Sequence, residues 1–98
     1  MNITIEKDNG RAVLAIEGRI DTTTAPELEK AINTVAEGTE TLVLDFKEVK
    51  YISSAGLRVL LGAQKKMNAQ GKMELINVCE DIMDILEMTG FADILVIK

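Results

Sequence analysis

The sequence predicts an α/β fold: a mixed sheet of four to five strands, mostly parallel, opened by an antiparallel N-terminal hairpin and combined with three main helices. Three observations lead there. The apolar period alternates along the chain between strand-like and helix-like. An Asn9-Gly10 dipeptide separates two alternating apolar segments. The later apolar runs are joined by stretches of helical period, the arrangement that right-handed crossovers turn into parallel strand neighbours. No linker, low-complexity run or internal repeat interrupts the 98 residues, so a single domain over 1–98 is expected.

The first element is the hairpin. Both Asn9 and Gly10 tolerate positive φ, which a two-residue turn needs. With Asp8 and Arg11 flanking it, Ile5 faces Leu14 and Ile3 faces Ile16, all four on one face. A loop over Gly18 to Thr23 follows. Thr24 stands three residues before Glu27 in a capping-box pattern, with Pro26 in the first turn. Leu28, Ala31, Ile32 and Val35 share one helical face, and Gly38 closes this first helix.

Thr41 to Asp45 is a short, nearly continuous apolar run, which predicts a central strand covered on both faces. A loop from Phe46 to Ile52 leads to a second helix over Ser54 to Gln70, with a wide stripe of Leu57, Val59, Leu60, Leu61, Ala63 and Met67, ended by Gly71. Lys72 to Val78 alternates as a strand. Glu80 to Thr89 reads as the third helix, with acids in its first turn and Gly90 at its end. Ile94 to Ile97 is a last short strand or an apolar tail packed on the core.

Composition narrows the function. There is no histidine and one cysteine, which excludes Ser-His-Asp and Cys-His pairs, His-based metal sites, intrachain disulfides and thiolate clusters. No metal or cofactor is implied. The formal charge of −5 and pI near 4.7 argue against a nucleic-acid partner. No basic n-region opens the chain and no run of ~18 apolar residues exists. A cytoplasmic interaction domain without membrane insertion is the expectation.

Binding groups in such a sheet collect at the carboxyl ends of parallel strands, beside helix N-termini. Three segments are expected to converge there: Gly18 to Thr24, Asp45 to Ser54 and Asn77 to Glu80. Ser54 is read as the cap of the second helix, accepting a backbone N–H for about 1 kcal/mol, or as a phosphorylation site facing free N–H donors and the positive helix end. Gly56 serves either close helix–sheet packing or clearance for a partner's backbone. Arg58, Lys65 and Lys66 form a basic flank that is a solvated face, unless Arg58 touches a partner. Cys79 is read as a small buried or capping residue, and Met67, Met73, Met83 and Met88 as core filler, with an adaptable binding face as the alternative should Met83 or Met88 be exposed. The edge of the first strand is free to pair.

Asp45-Phe46-Lys47-Glu48-Val49-Lys50-Tyr51-Ile52-Ser53-Ser54-Ala55-Gly56-Leu57-Arg58-Val59-Leu60-Leu61 resembles the signature of STAS domains, in particular bacterial anti-sigma factor antagonists. Gly18 to Leu28 is similar to that family's Gly-x-x-Asp-x-x-Thr-Ala stretch, and Ile85 to Phe91 to its C-terminal Leu-x-x-(Ser/Thr)-Gly pattern. The three segments together span nearly the whole chain in the right order. The resemblance implies a STAS-like fold and a non-enzymatic switch. The unmodified protein would bind an anti-sigma factor that is often a serine kinase, and so free a sigma factor. Phosphorylation would abolish binding, and a serine phosphatase would restore it. It places the phosphorylated serine at Ser54, with Ser53 as second choice because many members carry an acid at that position. It assigns partner contacts to Asp21, Thr22, Thr23, Ser53, Ser54, Ala55, Gly56, Leu57 and Arg58; for Asp21 an Asx-type turn role stands beside that one.

Rival readings share parts of this pattern. An aspartate phospho-acceptor would use Asp45 but lacks an acidic pair after the first strand. A small enzyme would use Asp21, Asp45 and Glu80 but has no nucleophile–base pair or phosphate-binding glycine loop. A non-switching STAS subunit of a transport or signalling complex would share fold and motif.

Overall fold

A computed structural model describes all residues, 1–98. The strands are β1 (Asn2–Asp8), β2 (Arg11–Ile20), β3 (Thr41–Ile52), β4 (Lys72–Ile76) and β5 (Val96–Ile97), and the helices α1 (Ala25–Ala36), α2 (Ser54–Asn68) and α3 (Glu80–Met88), with a 3-10 turn at Phe91–Asp93. They form one five-stranded sheet in the order β1-β2-β3-β4-β5. β1 is antiparallel to β2, and every later pairing is parallel. The hairpin has the expected register, Asp8 opposite Arg11, Ile5 opposite Leu14 and Ile3 opposite Ile16. Asn9 and Gly10 both adopt positive φ, at 46° and 80°.

One row across the sheet, Ile5-Leu14-Leu44-Leu75-Ile97, follows directly from the register. With Ala12, Ile16, Leu42 and Met73 it forms the face on which Leu28, Ile32, Leu57, Leu60, Met67, Ile82 and Leu86 of the helices pack, giving one core cluster of 22 buried residues. Ile5, at the outer end of its row, stays 43% exposed.

Three expectations are corrected. β3 does not end at Asp45 but runs on to Ile52, so Phe46–Ile52 is strand rather than loop. Asp45 therefore lies mid-strand, opposite Ala15 and Ile76, and does not converge with Asp21 at the strand ends. Its carboxylate instead accepts the Lys47 amide and the Asn77 side-chain amide, each at 3.0 Å. On the second face of β3, shared with Glu6, Val13 and Glu74, Val43 is buried as expected but stands outside the core cluster. Finally, Met88 is 86% exposed rather than core, whereas Met67 and Met73 are fully buried.

Gly71, just past α2, shows how closely the elements abut. A Cβ there would stand within bonding distance of the Glu40 carbonyl oxygen, whose acceptor role toward the Lys72 amide (2.8 Å) starts β4. Backbone cannot yield as a side-chain tip can. Gly71→Ala is therefore expected to destabilise the fold by about 3 kcal/mol. Gly62, in the interior of α2 with open space around it, provides the contrast. Gly62→Ala is expected to stabilise by about 0.5–1 kcal/mol through helix propensity and chain entropy. Urea unfolding of the two variants checks both signs.

Candidate functional site

Parallel pairing of β2 with β3 carries both strands to the same end of the sheet, where Gly18 opposes Val49 and Ile20 opposes Ile52. The chain then turns into α1 from one strand and into α2 from the other. The Ser53 amide donates to the Ile20 carbonyl at 2.8 Å, tying the start of α2 to the end of β2. The stretches Asp21–Thr24 and Ser53–Arg58 are thus neighbours. Asn77–Glu80 lies on the other side of β3, where the Cys79 thiol reaches the Val49 carbonyl at 3.7 Å.

Asp21 organises the first stretch. Its Oδ1 accepts the Thr23 amide (3.0 Å), the Thr23 hydroxyl (2.8 Å) and the Thr24 amide (3.1 Å). The capping box expected at Thr24 does not form. The Thr24 hydroxyl is taken instead by the Asp21 amide, from which it accepts at 2.8 Å, and by the Arg19 carbonyl, to which it donates at 2.7 Å. Asp21 so fills the Asx-turn role. The Thr23 hydroxyl above all, and then the Thr24 amide, hold its carboxyl below the usual carboxylate range. Thr22 and Thr23 are exposed beside it.

In the second stretch the cap is Ser53, not Ser54. Ser53 has extended backbone and its Oγ accepts the Gly56 amide at 3.4 Å. Ser54 is the first helical residue and is exposed, Ala55 is half-buried, and Arg58 is exposed one turn on. The amides of Ser54 and Ala55 find no acceptor within the protein, as expected for a first helical turn. Leu57 is buried and belongs to the core, so of the expected contact residues it has least to offer a partner.

Gly56 is a packing glycine. A Cβ at this position would lie 2.6 Å from both Ile20 Cγ2 and Ile52 Cγ1. Both neighbours are buried, so α2 sits down on the paired strand ends only because position 56 has no side chain.

Two residues that were not singled out stand at the same end. The Arg19 guanidinium lies over the Tyr51 ring, 4.2 Å from its centroid, with Nε 3.8 Å from Asp21 Oδ2. Such stacking holds a cation in place while leaving it accessible; Arg19 is 67% exposed. Only the continuation of β3 to Ile52 brings Tyr51 beside β2, and that continuation was not legible.

The comparisons agree with this fold. The sequence model of the STAS domain family matches residues 2–98, and the chain belongs to that family. The anti-sigma-B factor antagonist of Listeria monocytogenes is 36% identical over 104 residues, covering 100% of this chain and 90% of that protein. Among solved structures, an anti-sigma factor antagonist from Mycobacterium paratuberculosis superposes with a TM-score of 0.87 at 27% identity, covering 98% of this chain and 83% of that one. The Bacillus cell fate determinant SpoIIAA in its phosphorylated form shares the fold, with a TM-score of 0.75 at 17% identity over 99% of this chain and 91% of that one. No helix is long and apolar enough to cross a membrane.

Two expected outcomes follow from the hydrogen bonds. A carboxyl with a lowered native pKa stabilises fully above its unfolded pKa and loses that contribution as the pH falls through the native value. Asp21→Asn keeps an acceptor oxygen but cannot titrate. Its stability deficit against the wild type should be full above about pH 5 and should shrink as acid is added below the usual carboxylate range. Urea unfolding from neutral to acid pH checks this. Ser53→Ala should cost about 0.5 kcal/mol, the low end for a cap given the long 3.4 Å bond, and Ser54→Ala should cost less than that.

Proposed function

We propose that this chain, as one STAS domain over 1–98, is a cytoplasmic anti-sigma factor antagonist whose binding surface is switched at Ser54. In its unphosphorylated form it docks on an anti-sigma factor that is also a serine kinase, releasing a sigma factor. Transfer of a phosphoryl group to Ser54 ends the complex, and a serine phosphatase renews it. The contact surface comprises Asp21, Thr22 and Thr23 from the turn before α1 and Ser53, Ser54, Ala55, Gly56, Leu57 and Arg58 from the start of α2, with Gly56 and Leu57 acting by seating the helix. An antagonist acts by binding, so no catalytic residue is assigned.

One observation carries the reading. Capping is performed by Ser53, so the Ser54 hydroxyl is left with no structural duty, exposed as the first residue of α2. A kinase can reach it, and adding a group to it breaks no bond of the native state. The added charge of about −2 meets the positive helix end and two unpaired amides, so the helix tolerates it. The same charge on a docked surface would face desolvation and steric conflict. The shared architecture of phosphorylated SpoIIAA supports a fold that accommodates such a group.

Incubation with the cognate kinase and ATP, followed by mass spectrometry, tests the proposal. One phosphate is expected on Ser54, lost in Ser54→Ala and retained in Ser53→Ala. Phosphate on Ser53 moves the switch by one residue. No phosphate on a chain that still binds its partner favours a non-switching STAS subunit instead. Ser54→Asp should weaken the partner complex about tenfold or more by calorimetry, a loss of about 1.4 kcal/mol. Its folding stability should stay within about 0.5 kcal/mol of the wild type, because an acid suits a helix N-terminus.

A further inference from the structure

The two edges of the sheet differ. β5 is two residues long. β1 is seven residues long and pairs with β2 in seven uninterrupted steps without bulge or proline, while its outer side pairs with nothing. Natural sheets guard such an edge with proline, bulges, shortness or charged side chains, and the charges of β1 are confined to its last three residues, Glu6 to Asp8. Lys7 could guard this one, but its Nζ is drawn down to the end of α1, where it donates to the Glu37 carbonyl at 2.9 Å and the Val35 carbonyl at 3.4 Å. Alongside the edge runs an open groove of about 390 Å³ lined by Met1, Ile3, Ile5 and Ala31, with Glu27 and Lys30 on its rim.

We propose that β1 pairs antiparallel with β1 of a second copy of this chain, with Thr4 opposite Thr4 on the two-fold axis. The strand's own sequence selects both partner and register. A two-fold axis perpendicular to the sheet keeps the two core faces on one side, so residues of like parity must oppose. Centring on Thr4 sets Ile3 opposite Ile5 twice, Asn2 opposite Glu6, and threonine against threonine, all favourable cross-strand pairs. Centring on Glu6 would set two acids face to face. Centring on Ile5 would set Ile3 against Lys7, and centring on Ile3 would pair only Met1 to Ile5 and leave Glu6 to Asp8 of each strand without a partner. The Thr4 register also continues the Ile5-Leu14-Leu44-Leu75 row into the second copy, covering the half-exposed Ile5. The groove rim carries one acid and one base, so the copies do not meet with like charges alone.

The pairing is compatible with the site described above and does not depend on its regulatory reading. β2 and β3 of the two copies run in opposite directions, so their α2 starts lie at opposite ends of a doubled sheet and both stay free. The contact is small, which implies a weak dimer in the micromolar to millimolar range.

Sedimentation equilibrium of the full chain from micromolar to millimolar concentration tests this. A reversible monomer–dimer equilibrium is expected. Ile5→Lys and Thr4→Glu, both at exposed positions, should each weaken it about tenfold while circular dichroism and thermal unfolding show the native fold. In a Cys79→Ala background, Thr4→Cys should form a symmetric disulfide dimer under mild oxidation far more readily than Asn2→Cys or Glu6→Cys. A chain that stays monomeric at millimolar concentration, a dimer indifferent to Ile5→Lys and Thr4→Glu, or equal cross-linking at the three positions would overturn the proposal.

Discussion

The contact of Gly56 with Ile20 and Ile52 is the constraint on which the rest of the arrangement depends. α2 can begin where it does only because its third residue has no side chain, which lets the helix backbone settle on two buried isoleucines. These isoleucines are themselves partners, Ile20 on β2 against Ile52 on β3, so strand pairing and helix seating meet at a single point. The bond from the Ser53 amide to the Ile20 carbonyl locks that point. A methyl group there would lift the helix start, and with it Ser53, Ser54 and Arg58, off the end of the sheet. The exposure of Ser54 is thus a product of core packing and not a loop property.

The division of labour between the two serines follows from the same geometry. Ser53 is still extended, continuing from β3, so its hydroxyl can turn back to the Gly56 amide. Ser54 already has helical backbone and cannot cap. One hydroxyl is structural and its neighbour is free. Across the strand pair, Asp21 satisfies the turn before α1 as Ser53 satisfies the start of α2. The bonds that lower the Asp21 pKa are the ones that hold this turn. Beside them stand Arg19, on its Tyr51 ring and 3.8 Å from Asp21 Oδ2, and the exposed Arg58 one turn into α2. A phosphoryl group on Ser54 would add a charge of about −2 beside these two guanidinium groups.

The order of elements, the hairpin register, the three helices and the placement of Ser54 at a helix start were legible because each leaves a local signature: Asn9-Gly10, the 3.6-residue stripes, and glycines after the helices. The second half of β3 was not. Its buried residues are Phe46, Val49 and Ile52, three apart, with Lys47, Glu48, Lys50 and Tyr51 exposed between them. Register shifts against β2, between Ala15 and Glu17 and between Gly18 and Ile20, break the alternation that marks a strand, and sequence period cannot register them. Thr24 matched a capping box by spacing, but its hydroxyl is engaged by the Asp21 amide and the Arg19 carbonyl, and its own amide is taken by Asp21 Oδ1. The residue pattern placed Ser54 at the start of α2, where it lies, but could not tell which serine bears the cap, since that turns on one residue's backbone angles.

The central claim is that charge can be added at Ser54 without disturbing the fold around it. Amide NMR spectra of the protein before and after phosphorylation by its kinase test this most directly. Shift changes confined to Ser53–Arg58 and Arg19–Thr24, with Leu44, Leu75 and Leu86 unmoved, are the predicted result. Changes spread through β4 and α3, or loss of the core resonances, would contradict it.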